Sequence, residues 1–374
     1  MFNILNFSAE NAVRFDRRPQ KLHIFNNPRE LAENLKSPYK FAYARTALKF
    51  GLKALGFRQN ESILIPDFIC ESAIEPLNEL YIKPVYYPVN TLLEPCWEEL
   101  EHLVTKSVKA IMMVHYFGQP QQILKYMDFC KKHSLKLIED NAHGYGGSHK
   151  GRFLGTFGEL GFSAPRKSFP ITNGAYLHIT GNGMLNLSEL ILKPISNKGN
   201  SGLPLWLKNF PAIRGIMTYR RKMKEYYRRK NETTSYGSQD KFRDSPIKGN
   251  YGMDKENDFF IKKQNINLIK EKRQAIYMMW QKWSIKKGLT PVFKELSVGA
   301  VPLIFPAYSN SPAESLAWYQ RGQWAGIDIH SWPTLPEVIV EKNGGAMRLW
   351  EHMICFPIHQ DMDINLLEKR IDLL

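Results

Sequence analysis

Cysteine is scarce in this sequence. Its 374 residues include four cysteines, which lie far apart in the chain: Cys70, Cys96, Cys130 and Cys355. None of them belongs to a C-x-x-C pair, so the sequence excludes a zinc ribbon and a thioredoxin-like redox motif. The simplest interpretation is four reduced, buried thiols, and we expect no metal site.

Long hydrophobic runs are also missing. The apolar stretches, such as Val108 to Val114, are far shorter than the ~20 residues that a membrane-spanning helix needs. Residues 1–10 lack the basic region followed by an apolar run that marks a secretory signal. We therefore expect no integral membrane segment and a cytoplasmic location.

Acidic residues are too few to balance the basic ones. The chain has 36 Asp and Glu against 51 Lys and Arg, a formal net charge of +15. Such a charge draws a protein toward anions, including nucleic acid, acidic lipid and phosphorylated small molecules. The remaining composition, 43% hydrophobic and 23% charged, is ordinary for a folded enzyme and excludes a disordered chain.

Helix-like and strand-like segments alternate from residue 41 onward. Leucines recur at helical spacing before residue 56, and short apolar segments at 62–65, 84–87, 108–114 and 135–139 predict strands. This alternation predicts an α/β fold with a mainly parallel sheet and helices on both faces. Ligands of such sheets bind at the carboxyl ends of the strands.

The second half of the chain has a different pattern. Residues 196–252 are polar and basic, and we interpret them as an atypical insertion or connector within a large domain spanning residues 1–252. A solvated helix face explains its basic runs most simply, and binding of lipid or nucleic acid is the alternative. Residues 258–283 predict one long helix that leads into a smaller α+β domain, residues 253–374.

The standard catalytic motifs are absent, including the Walker loop, G-x-G-x-x-G, H-E-x-x-H and G-x-S-x-G. Asp140 ends a predicted strand, where it is either a ligand-facing carboxylate or a turn cap. Lys167 follows another predicted strand, although an isolated lysine is usually a solvated surface charge. Thr46 and the first amides of the helix from residue 44 form an anion site. Together these positions supply an amine, a carboxylate and a phosphate cradle.

The order of these elements resembles the DegT/DnrJ/EryC1/StrS sugar aminotransferases, which have the fold type I, aspartate-aminotransferase-like architecture. The resemblance rests on several ordered blocks: Ala44-Arg45-Thr46-Ala47-Leu48, Val114-His115-Tyr116-Phe117-Gly118, Ile138-Glu139-Asp140-Asn141-Ala142-His143, Gly155-Thr156-Phe157-Gly158, Phe162-Ser163 to Lys167, and Cys355-Phe356-Pro357-Ile358-His359. It implies a large domain with a mainly parallel seven-stranded sheet, a smaller C-terminal α+β domain and the cofactor pyridoxal 5'-phosphate.

The resemblance also implies roles for three residues at the reacting end of the cofactor. Lys167 matches the lysine that forms the internal aldimine. Asp140 matches the carboxylate that keeps the pyridine nitrogen protonated, so that the ring accepts electrons from the substrate. His143 matches a position beside the cofactor ring, with a buried structural histidine as the alternative.

Further matches concern the rest of the cofactor and the substrate. Arg45, Thr46 and Ser163 match the phosphate-binding positions, and Cys70 stands where an aromatic residue usually stacks on the ring. The candidate substrate-binding residues are Phe68, His115, Tyr116 and Asn250.

The sequence departs from the family pattern at further places, including the glycine pair after the lysine, which is reduced to Asn173-Gly174-Ala175. The interval from Ser163 to Lys167 is one residue shorter than in the commoner pattern, and Arg166 precedes the lysine. The G-Y-N-Y-R loop, which reaches the neighbouring subunit's cofactor phosphate in the family, is not recognisable, and residues 249–253 are its faint candidate. The resemblance nevertheless implies a homodimer.

The function implied by the resemblance is transfer of an amino group, with glutamate as the expected donor, to a keto group of a nucleotide-linked sugar in polysaccharide or glycoconjugate biosynthesis. Phosphorylated substrates account for the positive charge without nucleic acid. Two alternatives stay open. One is sugar dehydration on the same scaffold, against which Lys167 argues because histidine replaces the lysine in dehydratases, and the other is a non-catalytic anion-binding scaffold.

Overall fold

The computed structural model describes residues 15–19, 39–180, 192, 250–332 and 334–374. These residues belong to one compact unit, which comprises residues 15–194 and 246–374. The chain's other unit, residues 1–14 and 195–245, lies outside the described residues. So does most of the basic segment 196–252. The predicted domain boundary near residue 253 stays a prediction.

The described strands are β1 (Tyr39–Phe41), β2 (Ser62–Pro66), β3 (Lys83–Tyr87), β4 (Val108–Val114), β5 (Lys136–Asn141), β6 (Ser148–His149), β7 (Arg152–Phe153), β8 (Leu160–Ser163), β9 (Ala175–Ile179), β10 (Thr290–Pro291), β11 (Ile304–Tyr308) and β12 (Met353–Pro357). The described α-helices are α1 (Ala44–Ala54), α2 (Glu75–Glu79), α3 (Trp97–Glu101), α4 (Ile123–His133), α5 (Lys255–Lys262), α6 (Ile266–Lys286), α7 (Pro312–Ala325), α8 (Glu337–Lys342), α9 (Gly345–His352) and α10 (Ile364–Ile371). None of these helices is both long and apolar enough to span a membrane.

Seven strands form the large sheet, in the order β1-β9-β8-β5-β4-β2-β3. Strands β8, β5, β4, β2 and β3 are mutually parallel, whereas β9 runs antiparallel to β8 and β1 antiparallel to β9. Every residue of β2 is buried, and so is every residue of β4 except Lys109. Continuous apolar strands of this kind are typical of a sheet covered on both faces. The predicted mainly parallel seven-stranded sheet is confirmed.

The C-terminal part of the chain contains a second sheet, antiparallel, in the order β10-β11-β12. Large aromatic side chains from α6, α7, β11 and β12 fill the core beside it: Trp280, Trp283, Phe305, Trp318 and Phe356. Several of these rings contact edge to face, the arrangement that the aromatic quadrupole favours. The predicted α+β character of this region is confirmed.

Two local predictions were wrong. Residues 258–283 form not one helix but parts of α5 and α6, because Asn265 caps α6 by accepting a hydrogen bond from the Leu268 amide at 3.1 Å. The four cysteines are free, but only Cys130 and Cys355 are buried. Cys70 and Cys96 are partly exposed because each immediately precedes a short surface helix.

Candidate active site

Asp140 lies at the carboxyl end of β5, in the middle of the large sheet. In the parallel ladder it is opposite Val114 of β4 and Phe162 of β8. Its side chain is 8% exposed, and its Oδ1 accepts a hydrogen bond from the Ala142 amide at 2.8 Å. Burial raises the pKa of Asp140, while the charge of Lys167 and the Ala142 bond oppose the increase. Asp140 therefore caps a turn and also faces the Lys167 charge.

Lys167 ends a single 3-10 turn, Pro165–Lys167, which follows β8 directly. Its half-buried side chain places Nζ 5.2 Å from the centre of the Trp332 ring. Burial lowers the pKa of Lys167. Cys70 and Asp140 oppose that decrease, and Arg166 and Arg18 add to it. The amine is therefore shifted toward its neutral, nucleophilic form.

His143 follows β5 and packs between two aromatic rings. It lies parallel to the Phe117 ring, with 5.7 Å between ring centres, and edge to face with Trp332 at 5.4 Å. The Phe117 amide donates to Nδ1 at 3.2 Å, so Nε2 carries the proton of the neutral ring. Burial and the nearby charge of Lys167 hold the pKa of His143 well below its usual value. His143 is consequently neutral at physiological pH.

The amino end of α1 carries two guanidinium groups around one aromatic ring. Tyr43 is the N-cap residue and makes no side-chain capping bond. The guanidinium carbons of Arg166 and Arg45 lie 5.0 Å and 5.7 Å from the centre of its ring. Thr46 in the first turn is buried, and Arg45 also forms a 2.7 Å ion pair with Glu75. Cationic side chains at the amino end of a helix favour an anion.

Residues 29–174 of the chain, which include Lys167, Asp140, His143 and Thr46, match the model of the DegT/DnrJ/EryC1/StrS aminotransferase family. The match covers less than half of the chain, the part that carries these four residues. The resemblance recognised in the sequence is therefore confirmed.

Relatives and solved structures extend the similarity beyond the residues that match the family model. The chain is 24% identical to GDP-perosamine synthase from Vibrio cholerae over 82% of this chain and 84% of that protein. It is 29% identical to dTDP-4-dehydro-2,3,6-trideoxy-D-glucose 4-aminotransferase from Saccharopolyspora spinosa, over 30% of each chain. A putative sugar aminotransferase from Streptococcus pneumoniae, solved in its PLP form, superimposes with a TM-score of 0.63 at 14% identity, over 94% of this chain and 91% of that one. The predicted fold type I architecture is confirmed.

Two of the predicted cofactor residues lie near a third: the charges of Cys70 and Asp140 both act to raise the pKa of Lys167. Ser163 is buried at the end of β8, next to Asn141 of β5 in the ladder. The Cys70 thiol is 3.0 Å from the Ser72 hydroxyl. The predicted place of Cys70 beside the cofactor ring stays a prediction.

The predicted substrate-binding residues are placed less uniformly. Phe68 is fully buried, and its carbonyl accepts a 2.7 Å bond from the Tyr116 hydroxyl, which is also buried. Asn250 accepts a bond from Lys49 of α1 at 3.4 Å. In these contacts Phe68, Tyr116 and Asn250 each use a polar group to bind another part of the protein. Their role in substrate binding stays a prediction.

His115 lies under the site in a fully buried pair with Glu139. Its Nε2 is 2.8 Å from Oε1 of Glu139, while its Nδ1 accepts from the Gln121 amide. Glu139 also accepts from the amides of Gly155 at 2.5 Å and Phe157 at 2.6 Å. This carboxylate therefore anchors the 155–158 loop, a role that the motif Gly155-Thr156-Phe157-Gly158 did not reveal.

We expect Glu139→Gln to lower the free energy of unfolding by about 3 kcal/mol at pH 7, because an amide presents hydrogens to donors that need an acceptor. Burial alone raises the pKa of Glu139, but His115 and the loop amides hold it below the usual value. A carboxylate whose folded-state pKa is depressed stabilises the fold when the pH is above its unfolded-state pKa. That stabilisation is lost as the pH falls through its folded-state pKa. The difference between wild type and variant should therefore shrink below about pH 4.5.

Urea unfolding at several pH values measures both effects. Glu159→Gln is the matched control, since the exposed Glu159 accepts a 2.7 Å bond from the Leu137 amide at the other end of β5. We expect the control to lose about 1 kcal/mol or less. Equal losses in the two variants would contradict the anchoring role.

Sequence reasoning missed three further residues near the site. Trp332 contacts both Lys167 and His143, and Arg273 binds the backbone that follows the lysine. The positive charge of Arg18 helps to lower the pKa of Lys167. Each lies more than 100 residues from Lys167 in the chain, and none belongs to a block that signals its position.

Proposed function

We propose that this protein is a pyridoxal-phosphate-dependent aminotransferase that transfers an amino group to the keto group of a nucleotide-linked sugar, in polysaccharide or glycoconjugate biosynthesis. The observation that carries the proposal is the Lys167 amine, whose pKa is lowered by burial, within electrostatic range of the buried Asp140 carboxylate. The names of the Vibrio and Saccharopolyspora relatives support a nucleotide-linked sugar as substrate.

The chemistry of the site fits pyridoxal phosphate. The cofactor needs an amine for its aldehyde, a carboxylate for its pyridine nitrogen and a cationic cradle for its phosphate. Lys167 and Asp140 supply the first two. The amino end of α1, with Thr46 and the guanidinium groups of Arg45 and Arg166, supplies the third. All these groups belong to one chain.

The protein's own groups have distinct tasks in the reaction. Bound to these residues, pyridoxal phosphate would supply the electron sink that stabilises negative charge at the reacting carbon. The Lys167 amine, whose pKa is lowered by burial, takes the proton from the α-carbon of the amino donor. Asp140 holds a proton on the pyridine nitrogen, and the charge of Lys167 favours its ionised form. His143 stays neutral and adds no positive charge that would compete with that proton.

Glutamate is the amino donor in this proposal. Two cationic side chains, Arg166 and Arg18, lower the pKa of Lys167 by their charge. Cationic groups beside the lysine favour substrates with carboxylate or phosphate groups. The two substrates use the site in alternation, because the amino group is first taken from the donor and then given to the sugar.

Two further parts of the proposal concern assembly and location. We propose a homodimer, as the family resemblance implies, acting in the cytoplasm where nucleotide-linked sugars are made. We also propose that the basic segment from Arg220 to Tyr251 crosses to the partner subunit, because it stands in the chain where the family's G-Y-N-Y-R loop is expected; it lies almost wholly outside the described residues. Light scattering coupled to gel filtration tests the dimer, and a monomer that is active at assay concentration would contradict it.

The decisive experiment separates the two half-reactions. Glutamate added without sugar should abolish the cofactor's visible absorption band and release one 2-oxoglutarate for each active site. A keto sugar nucleotide added next should restore the band and become an amino sugar. A sugar that loses water without gaining nitrogen would indicate dehydration instead, and a protein that binds no pyridoxal phosphate would contradict the proposal.

A further inference from the structure

Arg273 of α6 is a fully buried cation whose hydrogen bonds converge on neutral oxygens. Its side chain is 0% exposed. The guanidinium donates to the Ser168 carbonyl, to the Pro302 carbonyl and to Oε1 of Gln360, each at 2.9 Å. Burial lowers the pKa of Arg273 to about 10, so it remains protonated at neutral pH.

Burying such a charge is costly, and an apolar side chain of similar size is often at least as stabilising in a protein core. The three acceptors come from three separate segments. Only a planar guanidinium has donors that point in enough fixed directions to hold all three at once. The arrangement therefore favours a role in geometry over a role in stability.

The first of these segments is the turn that carries Lys167. Amides of that turn bond back to Ala164 and Pro165, which leaves the Ser168 carbonyl at its end to be bound from outside. Besides Arg273, the Gln360 side chain donates to the same carbonyl at 3.2 Å. The backbone immediately after the lysine is thus held from α6 and from the segment that follows β12.

The second segment leads to His143. The Pro302 carbonyl accepts from Arg273, and the next amide, that of Leu303, donates to the Phe117 carbonyl at 2.8 Å. The Phe117 amide in turn donates to Nδ1 of His143. The buried Arg273 side chain is thereby bonded both to the backbone that follows Lys167 and to the segment that binds the Phe117 backbone next to His143.

We propose that Arg273 is a positioning residue for this active site: its three-way hydrogen bonding fixes the backbone after Lys167 and so places the lysine amine near Asp140. The inference rests on the proposed function in assigning Lys167 to pyridoxal phosphate. Arg273 is fully buried and acts through the backbone that it binds.

Two readouts on the full-length protein test the proposal. The first is the pKa of Lys167 in the cofactor-free protein, followed by NMR after reductive methylation with ¹³C-formaldehyde and assigned with Lys167→Ala. The second is the dissociation constant for added pyridoxal phosphate, measured by absorbance titration. In Arg273→Met, a loosened loop should admit water to the amine and raise its pKa by about one unit. Cofactor binding should weaken about tenfold.

Three variants separate positioning from charge and from stability. Arg273→Lys keeps the charge but cannot reach all three acceptors, so we expect shifts in the same direction as in Arg273→Met. Trp280→Phe removes another fully buried donor of α6, whose Nε1 binds the Pro357 carbonyl at 3.0 Å, and should leave both readouts unchanged. If Arg273→Met does not fold, Gln360→Met carries the test, with smaller shifts expected in both readouts.

Unchanged readouts in Arg273→Met would overturn the inference, as would equal shifts in Trp280→Phe or full restoration by Arg273→Lys. The pKa readout needs no cofactor. A wild-type protein that binds no pyridoxal phosphate would therefore refute the proposed function while the Lys167 titration still decides the role of Arg273.

Discussion

Lys167→Ala is expected to abolish the cofactor's visible absorption band and to lower amino transfer by at least about 10³-fold. The amine is the group that both binds the cofactor's aldehyde and moves the proton in the proposed reaction. A cofactor held by its phosphate alone lacks that base. Absorption spectra and the glutamate half-reaction measure the two losses.

The same variant should fold at least as well as the wild type at neutral pH. Burial lowers the pKa of Lys167 relative to the unfolded chain. When the folded-state pKa of a lysine is lower than its unfolded-state pKa, the lysine destabilises the fold at every pH below the unfolded-state pKa. That range includes pH 7. Removing the amine relieves that cost, so urea unfolding should show an unchanged or higher free energy.

Lys132→Ala is the matched control for this prediction. Lys132 is exposed on α4 and forms an ion pair with Glu101 at 2.6 Å. We expect the control to keep the absorption band and the half-reaction. Borohydride reduction of the wild-type holoenzyme followed by peptide mapping gives a second check, and label on any other lysine would contradict the assignment of Lys167.

Asp140→Asn should retain cofactor but slow amino transfer by about 2 kcal/mol or more, which is roughly a 30-fold loss of rate. A neutral amide cannot hold the proton on the pyridine nitrogen, so the electron sink is weakened. The substitution also separates the two roles of Asp140. An asparagine oxygen still accepts the Ala142 amide bond, so the turn is kept while the charge is lost.

Two measurements complete this test. The rate of the glutamate half-reaction reports the catalytic loss, and a near-normal rate would mean that Asp140 serves only as a turn cap. In the cofactor-free variant the pKa of Lys167 should fall below its wild-type value, because the Asp140 charge opposes the decrease caused by burial. An unchanged pKa would contradict the electrostatic coupling of the two side chains.

Local sequence determined the large sheet and the position of its main polar residues. Continuous apolar segments such as Val108–Val114 are favourable only in strands covered on both faces, so they indicate a parallel sheet without knowledge of their neighbours. Asp140 and Lys167 each follow or end such a segment, and the carboxyl ends of parallel strands meet at one edge. The family blocks then assigned chemistry to these two positions.

Tertiary structure alone decided how that edge is supported. The burial of His115 with Glu139, the contact of Trp332 with Lys167 and the three bonds of Arg273 join segments that are distant in the chain. Hydrophobic periodicity reports which face of an element is buried, but not which distant element covers it. The partner of a buried polar group is decided by the element that packs against it, because the group can bond only to the side chains and backbone in contact with it.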